Sequence, residues 1–177
     1  MQNDAIPEGP VRDALRQAAA DLDAAESGGQ PHARSQALAQ MARCYRGLGA
    51  SDAAEAAYAQ ALRWSHLVGS VDLTVDLLCD LCDTAASSAE QLDDGDPDSG
   101  RGHAARERAR DHAFEAMRLA GAVADSRWTV NVLLRVSDAL DRCGDRDDAI
   151  ALQTRAMRLI AGELPMDLAT MPGARNC

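Results

Sequence analysis

A chain of 177 residues is long enough for one compact domain with a sizeable core. Alanine dominates, and β-branched and aromatic residues are scarce, so helix is favoured and strands have little to work with. The formal net charge of -10 argues against nucleic acid or an anionic membrane as the main partner and favours a basic protein or peptide.

The opening MQNDAIPEGP has no basic segment followed by an apolar one, so no signal peptide is expected. No apolar run approaches a membrane span. The five cysteines, Cys44, Cys79, Cys82, Cys143 and Cys177, are odd in number in a chain too large to need staples. Reduced thiols in a cytoplasm are the expectation.

Residues 1–9 read as a polar, mobile lead. Pro10 suits the first turn of a helix, and Val11, Ala14, Leu15, Ala18, Ala19, Leu22 and Ala25 then keep helical spacing. Ser27 to Pro31 ends it. The second helix is predicted from His32 to Leu48, stopped by Gly49, with Ser51 or Asp52 as the cap of a third that reaches Val68. A fourth starts near Val71, with Leu73, Leu77, Leu78, Leu81 and Cys82 on a broad apolar face. Gln91 to Gly102 holds four Asp and three Gly and is expected to be a mobile acidic loop. The fifth helix is predicted over 104–123, the sixth over 126–142 and the seventh over 146–161. The sixth turns Trp128, Val132, Leu133, Val136 and Leu140 inward. The seventh carries Ala149, Ile150, Leu152, Ala156, Met157 and Ile160. Residues 163–177 form an irregular tail, whose Leu164, Met166, Leu168 and Met171 could fold it back onto an exposed edge.

One motif recurs. Ala54, Tyr58, Ala61, Leu62 and Arg63 align with Ala109, Ala113, Ala116, Met117 and Arg118, and with Ala149, Gln153, Ala156, Met157 and Arg158. A weaker copy lies at Ala14, Ala18, Asp21 and Leu22. The leading alanines stand at successive intervals of 40, 55 and 40 residues, and the acidic loop falls inside the long interval. Gly49 and Gly144 each precede their motif by five residues. A helical hairpin with such a small-residue face cannot bury it alone and must stack on copies of itself.

This pattern resembles the tetratricopeptide repeat (TPR) family. The first-helix signature falls on Leu38, Met41, Ala42 and Tyr45, and again on Leu133, Val136, Ser137 and Leu140. The turn glycine falls on Gly49 and Gly144. The second-helix signature falls on Ala54, Tyr58 and Ala61, and on Ala149, Gln153 and Ala156. The closing proline of the family is missing throughout. An interval near 40 is longer than the family's usual length of about 34 residues and looks like the long-helix variety of bacterial regulators and signalling proteins. The resemblance implies an all-α solenoid of about three hairpins plus an N-terminal helix, a single domain over 10–162 with an insertion at 91–102. A generic helical bundle is the rival.

No residues stand out for catalysis. There is no G-x-S-x-G, phosphate loop, H-E-x-x-H or dinucleotide fingerprint, so no enzyme and no cofactor are expected. Cys79 and Cys82 share a helix face, but no second pair completes a zinc site. Asp94, Asp96 and Asp98 alternate as in a calcium loop, yet Ser99 and Ala105 stand where such a loop needs Gly and Glu. No metal is expected. Arg101, Arg106, Arg108 and Arg110 read as a solvated helix face able to pair with those aspartates. Trp64 and Trp128 read as core.

The resemblance also implies a concave groove lined by the first helix of each unit. The family's groove positions fall on Gln36, Ala39, Arg43, Arg46 and Gly47 in the first unit. They fall on Asp76, Cys79, Asp83, Ala86 and Ser87 in the second, and on Asn131, Leu134, Asp138, Asp141 and Arg142 in the third. The family's carboxylate clamp is not carried over, because Ala39, Arg43 and Asp80 occupy its places. The expected function is a non-catalytic adaptor that binds a peptide or partner helix in this groove. The alternatives are a bacterial secretion chaperone of TPR type and a regulator that senses a small molecule or signalling peptide. A homodimer stays open.

Overall fold

A computed structural model describes residues 8–95, 100–121 and 126–162, in which seven α-helices and no strand occur. They are α1 (Glu8–Ser27), α2 (Pro31–Gly47), α3 (Ser51–Val68), α4 (Val71–Gly95), α5 (Arg101–Ala120), α6 (Ser126–Arg142) and α7 (Arg146–Ile160). The all-α class follows directly. The expectations for residues 1–7 and for the tail 163–177 lie outside the described residues. Residues 8 and 9, expected in the lead, already belong to α1. No helix among the described residues is long and apolar enough to cross a membrane.

The chain forms two compact units, Met1–Leu77 and Leu78–Cys177, and the division lies within α4. In the first unit, α1 packs on α2 and α2 on α3. Each joint uses the same device. Gly29, Gly49 and Gly69 have φ of +62°, +73° and +70°, a region that costs a side chain but not glycine. Backbone bonds such as Ala50 N to Tyr45 O at 2.9 Å and Gly49 N to Arg46 O at 3.0 Å satisfy the last carbonyls of α2. The next helix then starts two residues after each glycine. Pro31 opens α2, where its missing N–H costs nothing.

The core of this unit is small-residue packing around one aromatic plug. Ala42, Ala54, Ala61 and Tyr58 are fully buried, with Ala37, Leu38 and Ala39 beside them. Two hydroxyls stitch the helices: Ser35 Oγ donates to Ala61 O at 2.8 Å, and Thr74 Oγ1 of α4 lies 3.0 Å from Ser65 Oγ of α3. The expected caps of α3 are corrected. Ala50 holds the cap position, Ser51 and Asp52 are already helical, and no side chain caps it. Instead Ser70 Oγ accepts from Leu73 N at 3.4 Å at the start of α4.

In the second unit, α6 packs on both α5 and α7. Its core draws Leu78, Leu81 and Cys82 from α4, Ala109, Ala113 and Ala116 from α5, Val136 and Leu140 from α6, and Ala149 and Ala156 from α7. The alanines of the repeat motif are therefore buried on α3, α5 and α7 alike. On α7 the expectation is corrected in part, since Ile150, Met157 and Ile160 are exposed.

The acidic loop is also shorter than expected. Gln91 to Gly95 are helical within α4, and Arg101 and Gly102 already belong to α5. Asp93 is paired with Arg106 of α5, which gives this acidic turn a cationic partner and lets the helix run on. Gly102 is buried against the Asp93 carboxylate and the Ala89 carbonyl, and a Cβ there would collide with Asp93. Residues 96–99, with Asp96 and Asp98 of the calcium-like pattern, lie outside the described residues.

Candidate functional site on α4 and α6

Two polar stripes face each other in the second unit. On α4, Asp80, Asp83, Ser87 and Glu90 recur at helical spacing. On α6, Asn131, Arg135, Asp138 and Arg142 do the same. The opposite faces of both helices are apolar and buried, and along the α4 stripe exposure rises from buried Asp80 to exposed Glu90.

The stripes are tied at two levels. Arg135 Nη2 donates to Asp80 Oδ1 at 2.6 Å, where the Asp80 side chain is only 8% exposed. One heptad on, Arg142 Nη1 donates to Ser87 Oγ at 2.8 Å, and Arg142 Nη2 bonds Asp83. Arg142 Nη1 also stands 4.0 Å from Glu90 Oε2. Both ties join residues 55 apart, the interval that separates Ala54 from Ala109. One guanidinium thus serves three α4 side chains, which suits its planar fork of donors.

These ties alter the expected set of groove residues. Asp83 and Arg142 neutralise each other rather than standing as separate contacts. Cys79 is buried beside Cys82 in the core and leaves the set, as does Ala86. Asn131, Leu134, Asp138 and Asp141 are exposed, Leu134 by 40%. Asp138 and Asp141 make no ion pair within the described residues, so their charges face solvent. Asp76 lies one turn before Asp80 on α4, on the first unit's side of the division.

In the first unit, Gln36 and Arg43 are exposed on α2 and Arg46 is half-buried, while Ala39 is buried. This unit also corrects the reading of Trp64 as core. Its ring is partly exposed, lies beneath the Arg34 guanidinium at 4.8 Å, and shares an open ledge with Gln60, Arg63 and Leu67.

Arg135 and Glu90 were missed from sequence. For Arg135 the available signal was its opposite charge to Asp80 at the same 55-residue interval as the alanines, whereas that interval sets Glu90 against Asp145 and gives no signal.

Arg110 reaches Asp145 from α5 through Nε at 2.6 Å and Nη2 at 2.9 Å, and its hydrogen bond to Asp145 holds the guanidinium more firmly protonated. Cys44, Cys79, Cys82 and Cys143 are buried and form no disulfide among the described residues. Burial pushes Cys82 well above the ordinary thiol range, with Cys79, Cys143 and Asp83 acting in the same direction. Burial also raises Cys44 and Cys143. In Cys44, Cys82 and Cys143 this works against the thiolate that a nucleophile needs. Among the described residues no group of three His, Cys, Asp or Glu could hold a metal ion.

No family model matches the sequence, and no curated protein matches it. Among solved structures, the chain is similar to the crystal structure of BtubC (BKLC) from P. vanneervenii, with a TM-score of 0.66 and 15% sequence identity. The match covers 96% of this chain but 62% of that one, so this chain spans less than two thirds of its neighbour's length. At that identity the likeness shows a shared helical fold.

Proposed function

We propose that this chain is a non-catalytic interaction module of the TPR type, which takes a basic peptide or partner helix along the α4–α6 face of the second unit. One observation carries this reading. Asp138 and Asp141 stay exposed beside Leu134, while the neighbouring Asp80 and Asp83 already have arginine partners. The pre-tied pairs hold α4 and α6 in register, and the exposed carboxylates and leucine supply charge and an apolar anchor. Such a face steers a cationic partner in and fixes its register. An amphipathic helix or an extended segment with an apolar residue flanked by Arg or Lys has the complementary chemistry.

A capture experiment from native extract, quantified by mass spectrometry, tests this. Asp138→Arg with Asp141→Arg should lose the partner that the wild type enriches, with an unchanged helical far-UV spectrum. An identical captured set would contradict the reading. The secretion-chaperone reading adds the requirement that the captured protein be secreted and become unstable without this chain.

A further inference from the structure

Arg63 on α3 keeps a charge that its counterpart on α5 gives up. The repeat motif aligns Arg63 with Arg118, and Gln60 with Glu115. On α5 the pair closes on itself: Arg118 Nε donates to Glu115 Oε2 at 2.8 Å, and Nη2 donates to Oε1 at 2.7 Å. On α3 the uncharged Gln60 stands in the place of Glu115. Exposed Arg63 makes no ion pair among the described residues.

A second cation is set beside it. Arg34 of α2 lies over the Trp64 ring, 4.8 Å from its centroid, and its Nη2 donates to Glu26 O at 2.8 Å. One face and one edge of this guanidinium are thereby fixed, and no carboxylate neutralises it among the described residues. Its Nε is buried without a hydrogen-bond partner. A planar fork held in this way loses little freedom when it takes a carboxylate.

Apolar surface completes the ledge. Gln60, Arg63, Trp64 and Leu67 stand at i, i+3, i+4 and i+7, one stripe of two turns about 10 Å long. Leu67 is 75% exposed, and half-buried Trp64 lies one turn before it. The counterparts of Trp64 are Leu119 and Leu159, and those of Leu67 are Ala122 and Gly162, so within the three copies α3 has the ring and the leucine together. The ledge is open, which suits a chain segment laid along it better than a small molecule enclosed in it.

We propose that this ledge docks an acidic amphipathic segment of a partner protein. An aromatic or leucine side chain of the segment packs against Trp64 and Leu67, and an Asp or Glu one turn away meets Arg63 and Arg34. Charge complementarity names this occupant. The chain carries a net charge of -10, so an acidic segment is repelled by much of its surface and drawn to a place where two arginines without ion-pair partners flank an apolar ring. The ledge lies in the first unit and is opposite in charge to the α6 face, so the two readings are tested separately.

Selection of a display library of random peptides, about 12 residues long, on the full-length chain tests this. The enriched peptides should carry Asp or Glu within one helical turn of Trp, Phe, Tyr or Leu. The most enriched of them, made synthetically and titrated by calorimetry, should bind Arg63→Glu with Leu67→Asp at least about tenfold more weakly, with an unchanged helical far-UV spectrum. Arg158→Glu, which reverses the aligned arginine of α7, should leave Kd within about twofold. Basic peptides from the same selection, which suit the α6 face, should bind the ledge variant as they bind the wild type. A selection without acidic peptides, or a Kd unchanged in the ledge variant, would overturn the proposal. So would a wild-type dimer, seen by light scattering, that the ledge variant dissociates, because a second copy would then be the occupant.

Discussion

Arg110 and Asp145 meet in a two-pronged ion pair, Nε to Oδ2 at 2.6 Å and Nη2 to Oδ1 at 2.9 Å, that fastens α5 to the turn between α6 and α7. The pair also explains a local oddity. Asp145 stands at the cap position of α7, yet its side chain caps nothing, because the carboxylate is committed to Arg110. Both side chains are about a quarter exposed, so the pair is more than a surface contact and less than a buried one. A double-mutant cycle of Arg110→Ala and Asp145→Ala, followed by urea unfolding, should give a coupling of about 1–2 kcal/mol. Arg110→Ala alone should cost less than that, because the released carboxylate can then cap α7, an interaction of about 1 kcal/mol. Coupling near zero would show that the pair does not fasten these elements.

The alanines of the repeat are contact points at which no larger side chain fits. Ala61, Ala109 and Ala116 are completely buried, whereas Ala56 and Ala59, within the same motif, face solvent. Ala116→Leu should destabilise by about 1–3 kcal/mol or more through overpacking, and Ala59→Leu by less than about 0.5 kcal/mol. Thermal unfolding of the two variants separates them. Equal melting temperatures would contradict the assignment of the motif to packing.

The buried thiols make stability sensitive to alkali. Cys82 and Cys143 have folded-state pKa values raised by burial, so the folded chain keeps their protons while the unfolded chain releases them above about pH 9. Their contribution is therefore full below pH 9 and is lost as pH rises further. Denaturation between pH 8 and 10.5 should show falling stability, with a shallower slope in Cys82→Ala. In a Cys177→Ser background, alkylation at pH 8 should label the four buried cysteines only on the timescale of unfolding. Rapid labelling of Cys82 would refute its burial.

Much of the helical plan was legible because the signals are local. Glycines at helix ends, proline at a first turn and apolar spacing placed α6 over its observed residues and α3 to within one residue. The motif Ala54, Tyr58, Ala61 marked packing positions correctly, because an alanine at a close helix contact leaves a spacing signature. Three features were not legible, each for a long-range reason. α4 continues to Gly95 because Asp93 finds Arg106 across the following turn. Cys79 reads as a groove position but is taken into the core by the neighbouring leucines. Asp83 and Arg142 read as independent charges, whereas the approach of α4 and α6 joins them 59 residues apart. Ser70 was a missed cap for a local reason: it follows a glycine and reads as part of the break.

The proposed function sets a cationic partner on the exposed acidic edge of α6. The most direct test is a titration of the captured partner's binding segment into three full-length proteins, the wild type, Asp138→Arg with Asp141→Arg, and Arg43→Glu with Arg46→Glu. Reversal at 138 and 141 should raise Kd at least about tenfold, with the loss concentrated at low salt. Reversal at 43 and 46 should leave Kd within about twofold, because α2 lies outside the proposed face. An unchanged Kd for the α6 variant, with loss of binding in the α2 variant, would place the partner on α2 and overturn the proposed function.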